Sequence, residues 1–211
     1  MKIKICGITK PEETRYLIEN DVDFAGIVMF FEKSKRNVDQ TVAAEIIKSF
    51  REASADRTEA DRIKIVAVVV SPSAEQIEVL SDLGFDYVQI HGELTEQLID
   101  ACKLPILKAF NVSDMDKYDF YCGFEKIVGF VFDAGEPGSG KTFDWNMLGT
   151  LERKENKLFI LAGGLNSVNV ANAINVVNPD GVDVSSAVEI CEELPGKDPL
   201  KIIEFVRAVR G

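Results

Sequence analysis

Five places in this 211-residue chain put chemically capable side chains or exposed amides at the end of an apolar run. The first is Cys6, which closes Lys2-Ile3-Lys4-Ile5-Cys6 and is followed by Gly7, a residue that permits a tight turn. In an extended strand Ile3 and Ile5 share one face and Lys2, Lys4 and Cys6 the other, so the thiol lies over a lysine. A neighbouring cation favours thiolate, and Lys4 is expected to draw the Cys6 pKa from about 8.5 toward neutrality. The competing reading is core packing, since free cysteine is among the most buried residue types.

Asp133 ends the apolar run Val131-Phe132-Asp133. A carboxyl group placed directly after buried residues is partly desolvated, which raises its pKa and suits a general acid; a helix cap or loop anchor is the alternative. Leu161-Ala162-Gly163-Gly164-Leu165-Asn166 and Val182-Asp183-Val184-Ser185-Ser186 are two loops rich in amide and hydroxyl donors, the composition of a phosphate cradle. Arg36, in Phe30-Phe31-Glu32-Lys33-Ser34-Lys35-Arg36, could clamp a substrate carboxylate through paired hydrogen bonds or stand solvated at the surface. Cys6, Asp133 and an anion cradle together are the parts of acid–base chemistry on a phosphorylated small molecule.

One further motif points elsewhere. Gly135-Glu136-Pro137-Gly138-Ser139-Gly140-Lys141-Thr142 matches the P-loop pattern of nucleotide-binding proteins, so nucleotide hydrolysis is the alternative function. A P-loop domain normally opens with that unit, whereas five βα units precede it here. A glycine-hinged lid carrying Lys141 is the preferred reading.

The elements that must position these residues follow from hydrophobic periodicity. Short apolar runs are expected as strands at 2–6, 24–29, 63–70, 87–90, 106–110, 127–133, 158–162 and 181–184. Helical spacing fills the intervals at 11–19, 42–51, 74–83, 95–103, 113–120, 143–151, 167–177 and 199–209, with starts marked by Thr9, Ser73 and Asp198. Eight βα repeats in about 200 residues predict an α/β fold, a single-domain (β/α)8 TIM barrel over 1–211, with an open doubly wound sheet as its rival. In such a barrel the catalytic groups sit at the C-terminal ends of the strands, where the five positions above fall.

Composition narrows the function. A hydrophobic content of 46% supports a substantial core, and a net charge of -11 disfavours nucleic acid as a partner. The longest aliphatic run is too short to cross a bilayer, and the first residues read as a strand, so a cytoplasmic protein with no membrane partner is expected. Four dispersed cysteines and one histidine, His91, predict free thiols and no metal site.

Six segments together resemble the phosphoribosylanthranilate isomerase family over nearly the whole chain. They are Lys4-Ile5-Cys6-Gly7-Ile8-Thr9, Ser34-Lys35-Arg36, Val88-Gln89-Ile90-His91-Gly92, Phe132-Asp133 with Gly138-Ser139-Gly140-Lys141-Thr142-Phe143-Asp144-Trp145, Leu161-Ala162-Gly163-Gly164-Leu165 and Gly181-Val182-Asp183-Val184-Ser185-Ser186. The resemblance implies a cofactor-free Amadori rearrangement of N-(5'-phosphoribosyl)anthranilate to 1-(2-carboxyphenylamino)-1-deoxyribulose 5-phosphate in tryptophan biosynthesis. It casts Cys6 as general base, Asp133 as general acid and Arg36 as ligand of the anthranilate carboxylate. Gly163, Gly164, Ser185 and Ser186 would hold the phosphate, Asp183 would lie near the sugar hydroxyls, and His91 either near the anthranilate ring or in a structural hydrogen bond. Lys35 replaces the family's usual proline, predicting a less rigid loop, and Ala187 replaces its usual glycine, so the phosphate loop must avoid positive φ there or accept strain. Oligomeric state is left open.

Overall fold

The computed structural model describes residues 1–133, 145, 148, 151–191 and 193–211, for 112–114 the backbone alone. Eight parallel strands form a closed barrel: β1 (Lys2–Cys6), β2 (Phe24–Met29), β3 (Lys64–Val70), β4 (Tyr87–His91), β5 (Ile106–Asn111), β6 (Ile127–Asp133), β7 (Leu158–Ala162) and β8 (Gly181–Val184). Closure is made by β1, which pairs with β8 (Lys4 opposite Asp183) and with β2 (Cys6 opposite Gly26). That double pairing rules out the open sheet. A two-residue strand, Asn37–Val38, lies beside the end of β2.

Alternation along each strand sorts side chains into two layers. Phe24, Val28, Val66, Val68, Leu107, Ala109, Val131 and Ile160 form one buried cluster inside the barrel. Ile3, Ile5, Ile27, Ile65, Ile90, Phe132 and Val182 face outward into a second, larger cluster under the helices. Each such side chain contributes about 1.5–3 kcal/mol by leaving water. The inward parity of β1 is therefore Lys2, Lys4 and Cys6, as the sequence predicts.

The helices are α1 (Thr14–Glu19), α2 (Gln40–Ala53), α3 (Ala74–Leu83), α4 (Glu96–Ala101), α5 (Tyr118–Cys122), α6 (Val170–Val177) and α7 (Pro199–Arg210). Ser73 caps α3 by accepting from Gln76 N, and Asp198 caps α7 by accepting from Leu200 N and Lys201 N. Thr9 does not cap the first helix. Glu13 does that work, its Oε2 accepting from Thr9 N at 2.8 Å and Lys10 N at 3.3 Å, ahead of a 3-10 turn at Pro11–Glu13. The helix expected at 113–120 is instead a 3-10 turn, Val112–Lys117, leading into α5, where Tyr118 and Tyr121 pack on Phe130 and Phe110. α6 begins later than expected because Asn166 Oδ1 accepts from Val168 N and Asn169 N and holds an Asx turn there. Of the helix expected at 143–151, only Trp145 and Leu148 are both described and helical. Among the described residues no helix is long and apolar enough to cross a membrane.

Candidate active site

Beneath the C-terminal mouth of the barrel, Lys4, Cys6 and Asp183 make one polar cluster. Lys4 Nζ donates to Asp183 Oδ2 at 2.7 Å, with side chains 0% and 7% exposed. Asp183 Oδ1 is enclosed and has no hydrogen-bond partner among the described residues. The Lys4 ammonium also acts electrostatically on the Cys6 thiol. Gly26 makes this meeting possible, since a Cβ there would lie 2.9 Å from Cys6 Sγ and 3.1 Å from Lys4 Nζ.

The electrostatics differ from the expectation in one respect. Burial pulls the Lys4 pKa down, but Asp183 and Cys6 outweigh it, so the ammonium is held charged. For half-buried Cys6 the balance reverses: burial pushes the thiol up by more than Lys4 pulls it down, and Asp183 adds to the rise. The Cys6 pKa is thus raised, not drawn toward neutrality; Lys4 acts in the expected direction and is outweighed by desolvation. If Cys6 must be thiolate to react, the thiol limb of a kcat/KM profile should still climb above about pH 8.5, where an ordinary thiol is half ionised. Levelling near neutrality would mean that another group supplies the base.

Above this cluster, Gly7 takes a φ of +81°, and a Cβ on it would sit 2.5 Å from Arg36 Cδ and 3.2 Å from Ser185 Oγ. The bare glycine lets the Arg36 stem lie across the end of β1 beside Cys6. Arg36 Nε donates to Glu189 Oε1 at 2.5 Å, and Lys35 Nζ meets Glu189 Oε2 at 2.8 Å. The loop carrying Lys35 is therefore tied down by an ion pair where rigidity from proline is missing. Glu189 and Lys197, both about 2% exposed, were not picked out from sequence. The available signal was two charged residues following the second donor-rich loop.

The two donor-rich loops are held from behind. Asn169 Nδ2 donates to Gly164 O at 3.0 Å, and a Cβ on Gly164 would meet nothing within 4 Å, so that loop faces open space. Ser185 Oγ donates to Cys6 O at 2.9 Å, which commits its hydroxyl to joining β8 to β1. The N–H groups of Gly163, Gly164, Ser186 and Ala187 make no main-chain hydrogen bond to another described residue. Ala187 lies in the 3-10 turn Ser186–Val188 and is not among the positive-φ residues, so it fits without strain.

On the far side of the mouth, Asp133 ends β6 half-buried, its Cα opposite Asn111 on β5 and Ala162 on β7. His91 ends β4, its Nε2 2.8 Å from Gln89 Nε2. Burial, with Lys4 and Lys108 adding to it, pushes the His91 pKa down to about 4, so the ring is neutral at physiological pH. Cys6, Asp133, Arg36, His91 and the two loops thus share the C-terminal end, while Asp183 lies one layer below. The P-loop-like stretch 135–142, with Lys141, lies outside the described residues.

A cavity of about 630 Å³ opens at the opposite, N-terminal end, lined by Lys2, Asp23, Phe24, Lys64, Tyr87 and Leu158 among others. Its lysines are already paired, Lys2 with Asp23 at 2.7 Å and Lys64 with Glu59 at 2.9 Å. Size alone does not make it the site. No group of three or more His, Cys, Asp or Glu among the described residues could hold a metal ion.

Comparison with known proteins gives concordant matches. Residues 3–208 match the family model for N-(5'-phosphoribosyl)anthranilate isomerase. A curated relative of that name from Geotalea uraniireducens is 36% identical over 216 residues, covering 100% of this chain and 98% of the relative. One from Listeria welshimeri is 35% identical over 215 residues, covering 100% and 99%. The crystal structure of phosphoribosyl anthranilate isomerase from Thermotoga maritima has a TM-score of 0.79 at 33% identity, covering 100% of this chain and 98% of its own. A second such structure, in complex with reduced 1-(o-carboxyphenylamino)-1-deoxyribulose 5-phosphate, has a TM-score of 0.76 at 30% identity, covering 100% and 98%.

Proposed function

The chain belongs to the N-(5'-phosphoribosyl)anthranilate isomerase family, and on that premise we propose how its own residues carry the reaction. The enzyme isomerises N-(5'-phosphoribosyl)anthranilate to 1-(2-carboxyphenylamino)-1-deoxyribulose 5-phosphate in tryptophan biosynthesis. It does so as one (β/α)8 domain over 1–211, in the cytoplasm, without a cofactor. Each of the relatives reported above is an isomerase, and none favours nucleotide hydrolysis at 135–142.

Asp133 protonates the furanose ring oxygen, and the C1–O bond breaks as the nitrogen lone pair forms a protonated Schiff base. That cationic nitrogen acidifies C2. It also brings positive charge beside Cys6, which favours the thiolate that desolvation otherwise opposes. The thiolate takes the C2 proton, the electron pair neutralises the nitrogen, and the resulting enolamine becomes the ketone as C1 gains a proton and the C2 hydroxyl gives one up. Positioned acid and base groups each contribute about 10²–10⁴-fold.

The amides of Gly163, Gly164, Ser185 and Ser186 hold the phosphate; the Ser185 hydroxyl, bonded to Cys6 O, takes no part. Arg36 receives the anthranilate carboxylate through its two Nη groups, which make no hydrogen bond among the described residues. Asp183 acts through Lys4, since Oδ2 is bound to that ammonium and the residue is buried below the mouth. Neutral His91 borders the anthranilate ring without adding charge. The observation that carries this reading is the inward thiol of Cys6, set over the Lys4 ammonium at the mouth.

Anthranilate fluorescence provides the test of activity. Mixing the protein with N-(5'-phosphoribosyl)anthranilate should give a decay that continues until substrate is consumed, with the deoxyribulose phosphate recovered. A stable quenched or shifted signal would describe a protein that binds and does not turn over.

A further inference from the structure

Glu189 is one of the few carboxylates buried in the described structure, and three cations converge on it. Arg36 Nε lies 2.5 Å from Oε1, Lys35 Nζ 2.8 Å from Oε2, and Lys197 Nζ 3.5 Å from Oε1. Burial alone would lift the Glu189 pKa, but these cations outweigh it, so the carboxylate stays ionised. Glu13 enters from beneath, its Oε1 accepting from Lys197 N at 2.7 Å, and Lys197 Nζ donates to Ser185 O at 3.1 Å.

We infer that Glu189 is a positioning residue for substrate recognition: it fixes the Arg36 guanidinium by one edge so that the other meets the ring carboxylate. This inference rests on the reading of Arg36 given above. A guanidinium is planar, and binding Nε sets the plane and the direction of both Nη groups together. The Arg36 stem crosses Gly7, so its length is fixed at one end by β1 and its head at the other by Glu189. Without the Glu189 charge the side chain would keep its rotamer freedom and have to lose it on binding. Lys35 supplies a second contact on Glu189, at Oε2. It holds the carboxylate from the far side and keeps Oε1 turned toward Arg36.

The role can be read without activity, as a ratio of two affinities. Calorimetry would compare reduced 1-(o-carboxyphenylamino)-1-deoxyribulose 5-phosphate with the same compound lacking the ring carboxylate, for the parent, Glu189→Gln, Arg36→Met and the double variant. The parent should prefer the carboxylate compound, and Glu189→Gln should cut that preference by about tenfold or more. Arg36→Met should cut it at least as far, and the double variant no further than Arg36→Met alone. Because both affinities come from one preparation, an unfolded fraction cancels from the ratio. Should Glu189→Gln not fold, Glu189→Asp, one methylene shorter, should still lower the preference measurably. A preference kept within about twofold in the Glu189 variants but lost in Arg36→Met would overturn the inference alone. A preference kept in every variant would overturn the reading of Arg36 and this inference with it.

Discussion

Cys6→Ala should lower kcat by about 10²–10⁴-fold and leave KM near its parent value, and Asp133→Asn should do the same. The expectation follows from what each change leaves in place. Alanine at position 6 removes the sulfur but keeps the Lys4–Asp183 pair at 2.7 Å, the Arg36–Glu189 contact and both donor loops, so substrate still binds. On the proposed assignment only the proton acceptor is lost. Asparagine at 133 keeps the shape of the side chain at the end of β6 and removes its acidic proton. Steady-state decay of anthranilate fluorescence gives both parameters. A Cys6→Ala enzyme with near-normal kcat would show that another group takes the C2 proton.

Lys4→Met should produce the largest loss of stability, about 3–5 kcal/mol, the range found when one partner of a buried ion pair is removed. Lys4 is fully enclosed, so no solvent screening reduces the figure. The remaining Asp183 would be a buried carboxylate whose Oδ1 already lacks a partner and whose Oδ2 has lost its only one. Such a group takes up a proton more readily folded than unfolded. Its folded pKa therefore lies above the unfolded one, and the variant's deficit should shrink toward acid pH and grow as pH rises through the folded value. Urea unfolding of the parent and Lys4→Met at two pH values measures this. A deficit under about 1 kcal/mol, or one that grows toward acid, would contradict the ion-pair account.

The fold was largely legible because barrel strands carry strong periodic signals. All eight strand positions follow from apolar runs, and the parity of β1 places Lys4 under Cys6. Closure was not in the periodicity; it depends on β1 pairing with both β2 and β8, a contact between the two ends of the chain. Helix boundaries slipped where side chains compete with the helix. Glu13 took the capping role from Thr9 because it also serves Lys197 N, 184 positions away.

The candidate site was legible in its strand-end residues and hidden in its charge balance. The sequence places a cation beside Cys6 but cannot weigh it against the loss of water, and burial prevails. Glu189 was missed for a related reason. A glutamate in a polar loop reads as a solvated surface charge until folding brings Lys35, Arg36 and Lys197 around it. Ser185 shows the converse, a hydroxyl that resembles a ligand donor and proves to be a strut between β8 and β1.

The division of labour between Cys6 and Asp133 is tested most directly by single-turnover decay with substrate carrying deuterium at ribose C2. In Cys6→Ala, removal of that hydrogen should limit the rate, and a full primary isotope effect should appear. In Asp133→Asn, ring opening should limit it and the effect should fall to near unity. The reverse pattern, an isotope effect exposed by the Asp133 change and suppressed by the Cys6 change, would contradict the assignment of base and acid.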